Sequence, residues 1–292
     1  MPLSRPEGRD KTALVRRVFV GLLVANVSVV GAKFVVGLAS GSLAVLSSAL
    51  DSAVDALNNV VALVLVRVAT KAPDEDHPYG HGKFETLGAL GIVGVLSVSC
   101  FELVRSAVNK LLAGGHRVHV TSWHVALLVL TLVANVAIAW YENRRGGVLG
   151  SELLVADAAH TRADVFITAG ALIGLVSASQ GWWWADPGVA IVVACVIVFV
   201  AYRILVRTVP VLVDQAALPT TDIRDTAQAV PGVRSAYGIR SRGPSDLRYA
   251  EVTIAVDGHS DVASAHEIAD QVEERLKRDL QLHEVTVHIE PC

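Results

Sequence analysis

Two acids four residues apart, Asp51 and Asp55, interrupt a long apolar stretch that runs from about Leu43 to Val68. In a helix this spacing places both carboxylates on one face, one turn apart. A carboxylate at the centre of a bilayer costs about 2.5–3.5 kcal/mol on insertion scales. Because two neighbouring carboxylates also repel each other, the pair predicts a bound cation or access of water at this point of the chain.

The same spacing recurs in His160 and Asp164, within a second apolar stretch from about Ser151 to Ser177. Two facing helices would bring three carboxylates and one imidazole together. Four oxygen and nitrogen ligands suit a divalent metal in tetrahedral geometry, and zinc is the commonest case. The sequence therefore predicts a metal site within the membrane, formed by Asp51, Asp55, His160 and Asp164. Asp157 lies close to the same helical face, and we interpret it as an acid that supports the ligands or lines their access path.

The composition indicates an α-helical membrane protein that crosses the bilayer several times. The 292 residues are 52% hydrophobic and 18% charged, whereas soluble domains carry about 25% charged residues. Six apolar segments are each long enough for the hydrocarbon core of about 30 Å. They are Ala13–Leu38, Leu43–Ala69, Leu87–Leu112, Ser122–Tyr141, Ser151–Ser177 and Pro187–Val209. In the third segment, Gly88, Gly91 and Gly94 are interpreted as positions of close helix packing.

The distribution of Lys and Arg predicts the orientation in the membrane. Six segments place both termini on one side, and Lys and Arg concentrate before the first segment, in the second and fourth loops and at the end of the sixth segment. The positive-inside rule therefore puts both termini in the cytoplasm. We expect residues 1–12 to form a cytoplasmic N-terminal segment and residues 13–210 a six-helix transmembrane domain, in an inner or plasma membrane.

The cytoplasmic loop between the second and third segments has an unusual composition. Three acids and two histidines lie between Lys71 and Lys83. Asp74, His77 and His81 could close around one metal ion. The alternative is a solvated turn that proline and glycine hold in shape.

Residues 211–292 are predicted to form a second, cytoplasmic domain. The pattern of apolar residues indicates the order helix, strand, strand, helix, strand, which is typical of a small α+β domain of the ferredoxin-like kind with one strand missing. This part of the chain has 8 Lys and Arg against 14 Asp and Glu, which argues against nucleic acid and is compatible with cations. His266, His288 and Glu290 could form a metal site, or they could be polar residues on a solvated face.

These motifs together resemble the cation diffusion facilitator family over nearly the whole chain. The resemblance rests on Asp51-x3-Asp55, His160-x3-Asp164 and the loop sequence from His77 to Glu85. It implies a homodimer in the lipid bilayer that exports zinc or a similar divalent ion from the cytoplasm in exchange for protons.

The resemblance also implies three metal sites. It implies a transport site at Asp51, Asp55, His160 and Asp164, a loop site at Asp74, His77 and His81, and a cytoplasmic-domain site at His266, His288 and Glu290. Zinc or another divalent transition metal would be both the substrate and a structural or regulatory ligand. Tyr237 and Thr253 stand where some members carry further histidines, which argues against a two-metal site in that domain.

Three aspartates with one histidine resemble the zinc- and iron-type transport sites of the family. Imidazole favours zinc over manganese or magnesium, but the ligand set also admits ferrous iron, cobalt and cadmium. An enzyme is not expected, because membrane aspartyl proteases take one acid from each of two helices. A metal-binding membrane scaffold or sensor with little transport is the remaining alternative, since it would use the same ligands.

Overall fold

The protein folds as six long helices followed by a small α+β domain, as the sequence predicts. The computed structural model describes residues 8–40, 43–113, 122–180, 182, 184–244 and 247–292. The long helices are α1 (Gly8–Ser40), α2 (Leu43–Ala69), α3 (Lys83–Ala113), α4 (Ser122–Leu149), α5 (Glu152–Ser179) and α6 (Ala185–Leu212). They are followed by α7 (Thr220–Gln228), β1 (Ser235–Arg242), β2 (Tyr249–Val256), α8 (Val262–Leu280) and β3 (Glu284–Pro291). The chain divides into two compact units, residues 1–208 and 209–292.

Within the described residues, four of the long helices are apolar and long enough to cross a membrane: α1, α2, α3 and α6. Large apolar side chains on the outer surface of the helices, such as Phe101 and Leu130, are more than half exposed, which suits contact with lipid. Helices α4 and α5 each carry charged residues that bear on the candidate site. The end of α4 holds Glu142, Arg144 and Arg145, and α5 carries His160 and Asp164, which are predicted to bind metal.

The start of α5 is fixed by a tight connection to α4. Helix α4 continues eight residues past Tyr141, its predicted end, and the chain turns at Gly150 with φ of +61°. A Cβ atom at Gly146 would lie 2.9 Å from the Val155 side chain, so only glycine permits this close approach. The Ser151 hydroxyl accepts a hydrogen bond from the Leu154 N–H at 3.2 Å and thereby caps α5. The same hydroxyl donates to the Glu85 carboxylate at the start of α3.

The glycines of α3 differ in what they do. A Cβ atom at Gly88 would lie 2.8 Å from a methyl carbon of Leu65 and 2.9 Å from one of Leu153, so Gly88 allows α2, α3 and α5 to meet. Gly91 and Gly94 have no neighbouring atom within 4 Å of such a Cβ. The prediction of close packing therefore applies to Gly88 alone, and the other two line a cavity described below.

Residues 209–292 form a three-stranded sheet, in the order β1-β2-β3, with helices on one face. Strands β1 and β2 are antiparallel, and α8 connects β2 to the parallel strand β3. The core contains fully buried Val252, Ile254, Val272 and Leu276. Because side chains alternate along a strand, Val285 faces this core while His288 and Glu290 face away from it.

Candidate metal sites

Two helices, α2 and α5, bring Asp55, His160 and Asp164 together. Asp55 lies on α2, and the other two lie one turn apart on α5. The Nε2 atom of His160 is 3.7 Å from an Asp55 oxygen and 3.8 Å from an Asp164 oxygen, and one ligand atom from each residue lies within 4.8 Å of the others. Asp51 belongs to α2, but its side chain lies outside the described residues.

The geometry of this group fits a divalent cation. Zinc bonds of 2.0–2.2 Å place neighbouring ligand atoms of a tetrahedron about 3.4 Å apart, so the observed ligand distances of 3.7 and 3.8 Å need only a small contraction. His160 is buried, and neither ring nitrogen has a hydrogen-bond partner within the described part of the chain. An unpaired buried nitrogen costs about 1–3 kcal/mol, and coordination of a cation would remove that cost.

The three residues lie between two cavities of very different size. The larger one, called here the vestibule, holds about 1100 Å³ and is also lined by Lys33, Ser52 and Glu102. The smaller one holds about 20 Å³ and is also lined by Asn59, Glu142, Asp157 and Thr161. We call it the loop-side cavity, because its lining residues lie toward the ends of α2 and α4 that lead into residues 70–82 and the α4–α5 turn. The three candidate ligands thus adjoin a large cavity on one side and a small polar one on the other.

The loop residues Asp74, His77 and His81 also lie together, with one ligand atom each within 4.8 Å of the others. Nδ1 of His77 is 3.2 Å from one Asp74 oxygen, and Nε2 of His81 is 3.4 Å from the other. The His77 backbone N–H donates to Asp74 at 2.7 Å, and this bond is the main reason that the pKa of Asp74 is held below its usual range. His81 is buried against Phe84, and its Nδ1 has no partner among the residues described. One carboxylate and two imidazoles leave room for a fourth ligand on a tetrahedral metal.

The third predicted group is not assembled within one chain. Nε2 of His266 lies 3.8 Å from Asp270 on the same helix, and Nε2 of His288 lies 3.7 Å from Glu290 on β3. His288 and Glu290 are on the sheet face opposite the core that α8 covers, which separates them from His266. The Tyr237 hydroxyl donates to Glu290, and this hydrogen bond raises the pKa of Tyr237. A single chain therefore offers ligand pairs here.

Several polar residues beside Asp55, His160 and Asp164 were not predicted from the sequence, and two of them, Glu142 and Asn59, are buried. Glu142 is buried in the last turns of α4, where the neighbouring Arg144 and Arg145 suggest a solvated helix end. Asn59 is uncharged, so it gives no signal of its own in an apolar helix, although it lies one turn beyond Asp55. Both side chains line the loop-side cavity. That they line one cavity follows only from the packing of α2 and α4 against α5.

Comparison with known proteins identifies the family to which the chain belongs. The family described as "Cation efflux transmembrane domain" matches residues 18–213, and the one described as "Cation efflux protein, cytoplasmic domain" matches residues 219–292. The chain therefore belongs to the cation diffusion facilitator family of divalent-metal efflux proteins, as the motifs predict.

Similar proteins include a plant and a bacterial relative. Metal tolerance protein C1 of Arabidopsis thaliana is 33% identical over 288 residues, which cover 92% of this chain and 61% of that protein, so the chain spans about three fifths of its length. Cation-efflux pump FieF of Shewanella oneidensis is 30% identical over 261 residues, which cover 89% of this chain and 88% of that one. The solved structure "MamM-CTD 215-293" is 29% identical with a TM-score of 0.23, and covers 25% of this chain and 92% of that structure.

Proposed function

We propose that this protein exports a divalent transition metal, zinc first and ferrous iron next, from the cytoplasm in exchange for protons. The transport ligands in this proposal are Asp51, Asp55, His160 and Asp164. The observation that carries it is the meeting of Asp55, Asp164 and a buried imidazole with unpartnered nitrogens, beside an open vestibule. The printed name of the Shewanella relative, a cation-efflux pump, supports the direction of transport.

The choice of zinc depends on the imidazole. Carboxylate and water ligands suit magnesium, calcium and manganese, whereas imidazole shifts preference toward zinc, copper, iron and nickel. Replacing the nitrogen ligand by oxygen should therefore change the metal without abolishing the site. We expect His160→Asp to shift transport toward manganese, and an unchanged zinc preference would contradict this role for His160.

Proton exchange follows from competition at the same atoms. Carboxylates and imidazole must be free of protons to bind metal, so metal binding releases protons and protons displace metal. Histidine normally titrates near neutral pH, which makes His160 the most suitable carrier of an exchanged proton. If the site is reached from each side of the membrane in turn, this competition becomes antiport.

The test is metal uptake by purified protein in proteoliposomes, with a panel of divalent metals and with or without a pH gradient. We expect a pH gradient to drive metal accumulation, with zinc the best substrate. Asp55→Ala should abolish uptake while the protein remains a folded dimer by size-exclusion chromatography. Asp225→Ala is the matched control, because Asp225 is exposed on α7. Uptake at the wild-type rate in Asp55→Ala would remove the site from the mechanism.

The alternative, a membrane scaffold or sensor, predicts a different result in the same experiment. Such a protein would bind metal through these ligands but would carry no flux under any gradient. We further propose a homodimer in the inner or plasma membrane with both termini in the cytoplasm, without enzymatic activity. In this proposal Asp74, His77 and His81 hold a structural or regulatory metal, and His266, His288 and Glu290 contribute ligands in the cytoplasmic domain.

A further inference from the structure

The loop-side cavity contains two buried acids that the transport site does not use. Glu142 on α4 is 2% exposed and Asp157 on α5 is 4% exposed, while Asn59 on α2 is 3% exposed. All three line the same chamber, together with Asp55, His160 and Asp164. Two carboxylates at this depth are costly unless a cation or a proton satisfies them.

The existing contacts leave part of this polar surface without a partner. Glu142 accepts one hydrogen bond from the Thr161 hydroxyl, at 2.9 Å. A side-chain oxygen of Asp157 and the amide nitrogen of Asn59 are buried without any hydrogen-bond partner in the described part of the chain. Neither acid forms an ion pair with a Lys or Arg among the described residues. The unpartnered Asp157 oxygen therefore points to a cation in the cavity, and the Asn59 N–H, which needs an acceptor, points to a water beside it.

The size of the cavity limits what that occupant can be. Its volume of about 20 Å³ admits one water-sized guest, since a single water needs at least about 10–15 Å³. Carboxylate, amide and hydroxyl groups surround that space, and such oxygen donors suit a hard divalent cation with retained water. The two carboxylates disfavour an anion, and the small volume favours a single ion or water over a larger organic ligand.

We propose that Asn59, Glu142 and Asp157 form a second cation subsite, where the transported divalent ion pauses on the loop side of the transport ligands. The subsite rests on the proposed transport function, and it extends the path of the ion by one step. Its all-oxygen ligands bind a transition metal less tightly than a set with imidazole, so an ion held there passes readily to His160 and the nearby carboxylates. The subsite would raise the local cation concentration next to the transport ligands.

The first test measures zinc uptake into proteoliposomes as a function of zinc concentration. Glu142→Gln and Asp157→Asn each keep the shape of the side chain, and the amide oxygen introduced at position 142 still accepts from Thr161. We expect each variant to raise KM about 10- to 100-fold, as loss of a ligand-supporting group does, with the saturating rate within about twofold of the wild type. Glu274→Gln, an exposed position on α8, is the matched control and should leave KM unchanged. Wild-type KM in both cavity variants would overturn the subsite.

The second test does not depend on flux, so it separates this proposal from the transport function. Manganese binding to the full-length protein is followed by electron paramagnetic resonance in a background of Asp55→Ala with Asp74→Ala, which disables the transport and loop sites. Adding Glu142→Gln should remove about one bound Mn²⁺ per chain, and adding Glu274→Gln should remove none. Equal binding after both additions would overturn the subsite, even if the wild type transports zinc. If the wild type carries no flux, the transport function fails and this measurement still decides whether the subsite exists.

Discussion

Ser151 connects the start of the metal-binding helix α5 to helix α3, and its replacement by alanine gives a quantitative test of the fold. Its hydroxyl is fully buried, accepts from the Leu154 N–H at 3.2 Å and donates to the Glu85 carboxylate. Ser151→Ala removes both hydrogen bonds and adds no bulk. The change therefore acts on the helix cap and on the contact with Glu85, without disturbing the packing around them.

The loss of these two hydrogen bonds determines how far the free energy of unfolding should fall. Replacing a serine cap by alanine costs about 1 kcal/mol, and losing a hydrogen bond to a charged group costs about 1.5–3 kcal/mol. The Leu153 N–H remains within 3.4 Å of the same Glu85 oxygen, so the second loss is expected at the lower end. We predict that Ser151→Ala lowers the free energy of unfolding by about 2–3 kcal/mol.

The assay is equilibrium unfolding of the full-length protein by denaturant in mixed micelles. Ser97→Ala is the matched control, because the Ser97 hydroxyl only donates to the Val93 carbonyl of its own helix, at 2.7 Å. That variant should change the free energy of unfolding by less than about 0.5 kcal/mol. If Ser151→Ala lowers the free energy of unfolding no more than Ser97→Ala does, then neither the cap nor the contact with Glu85 stabilises α5.

Three further outcomes are expected. Gly88→Val should lower the free energy of unfolding in the same micelle assay by about 1–3 kcal/mol, because the new side chain would clash with Leu65 and Leu153. Gly91→Val is the control and should not show this loss, because no atom lies within 4 Å of a Cβ at Gly91. Leu276→Ala should destabilise residues 209–292 by about 2–5 kcal/mol, because Leu276 is fully buried, and a loss below 1 kcal/mol by circular dichroism would contradict the core. Asp261 caps α8, and the hydrogen bond that it accepts from the Ser264 N–H holds the pKa of its carboxyl below its usual range. The cap therefore stabilises the fold above about pH 4, and this stabilisation is lost as the pH falls through the lowered pKa. Asp261→Asn should weaken the dependence of the free energy of unfolding on pH in the acid range, and an unchanged dependence would refute this role.

The sequence predicts that Asp55, His160 and Asp164 lie together, as they do in the structure, because helical spacing is a strong constraint. Asp55, His160 and Asp164 are charged or titratable residues in apolar segments, so the face on which they lie follows from the period of 3.6 residues alone. The element order of residues 209–292 is equally clear, because the alternation in β2 and the amphipathic pattern of α8 have different periods. In both cases the signal is local.

What the sequence does not predict depends on contacts between helices. From the sequence, Glu142 resembles a solvated residue at the membrane boundary, because Arg144 and Arg145 follow it. In the structure α4 continues as a helix to Leu149. The role of Gly88, but not of Gly91, is decided by leucines on α2 and α5 that are distant in sequence. His266 and His288 have suitable chemistry, yet the face of the sheet that α8 covers keeps them apart within one chain.

The two most closely packed pairs of long helices are α1 with α2 and α4 with α5. Asp55 belongs to the first hairpin, while His160 and Asp164 belong to the second. An ion bound at the proposed transport site would therefore be held where these two hairpins meet. Metal–ligand distances tolerate a change of only about 0.2 Å. A relative movement of the two hairpins would therefore lower the affinity of the site for the ion. In the proposed transport cycle, this weakening of metal binding would act in addition to the competition by protons.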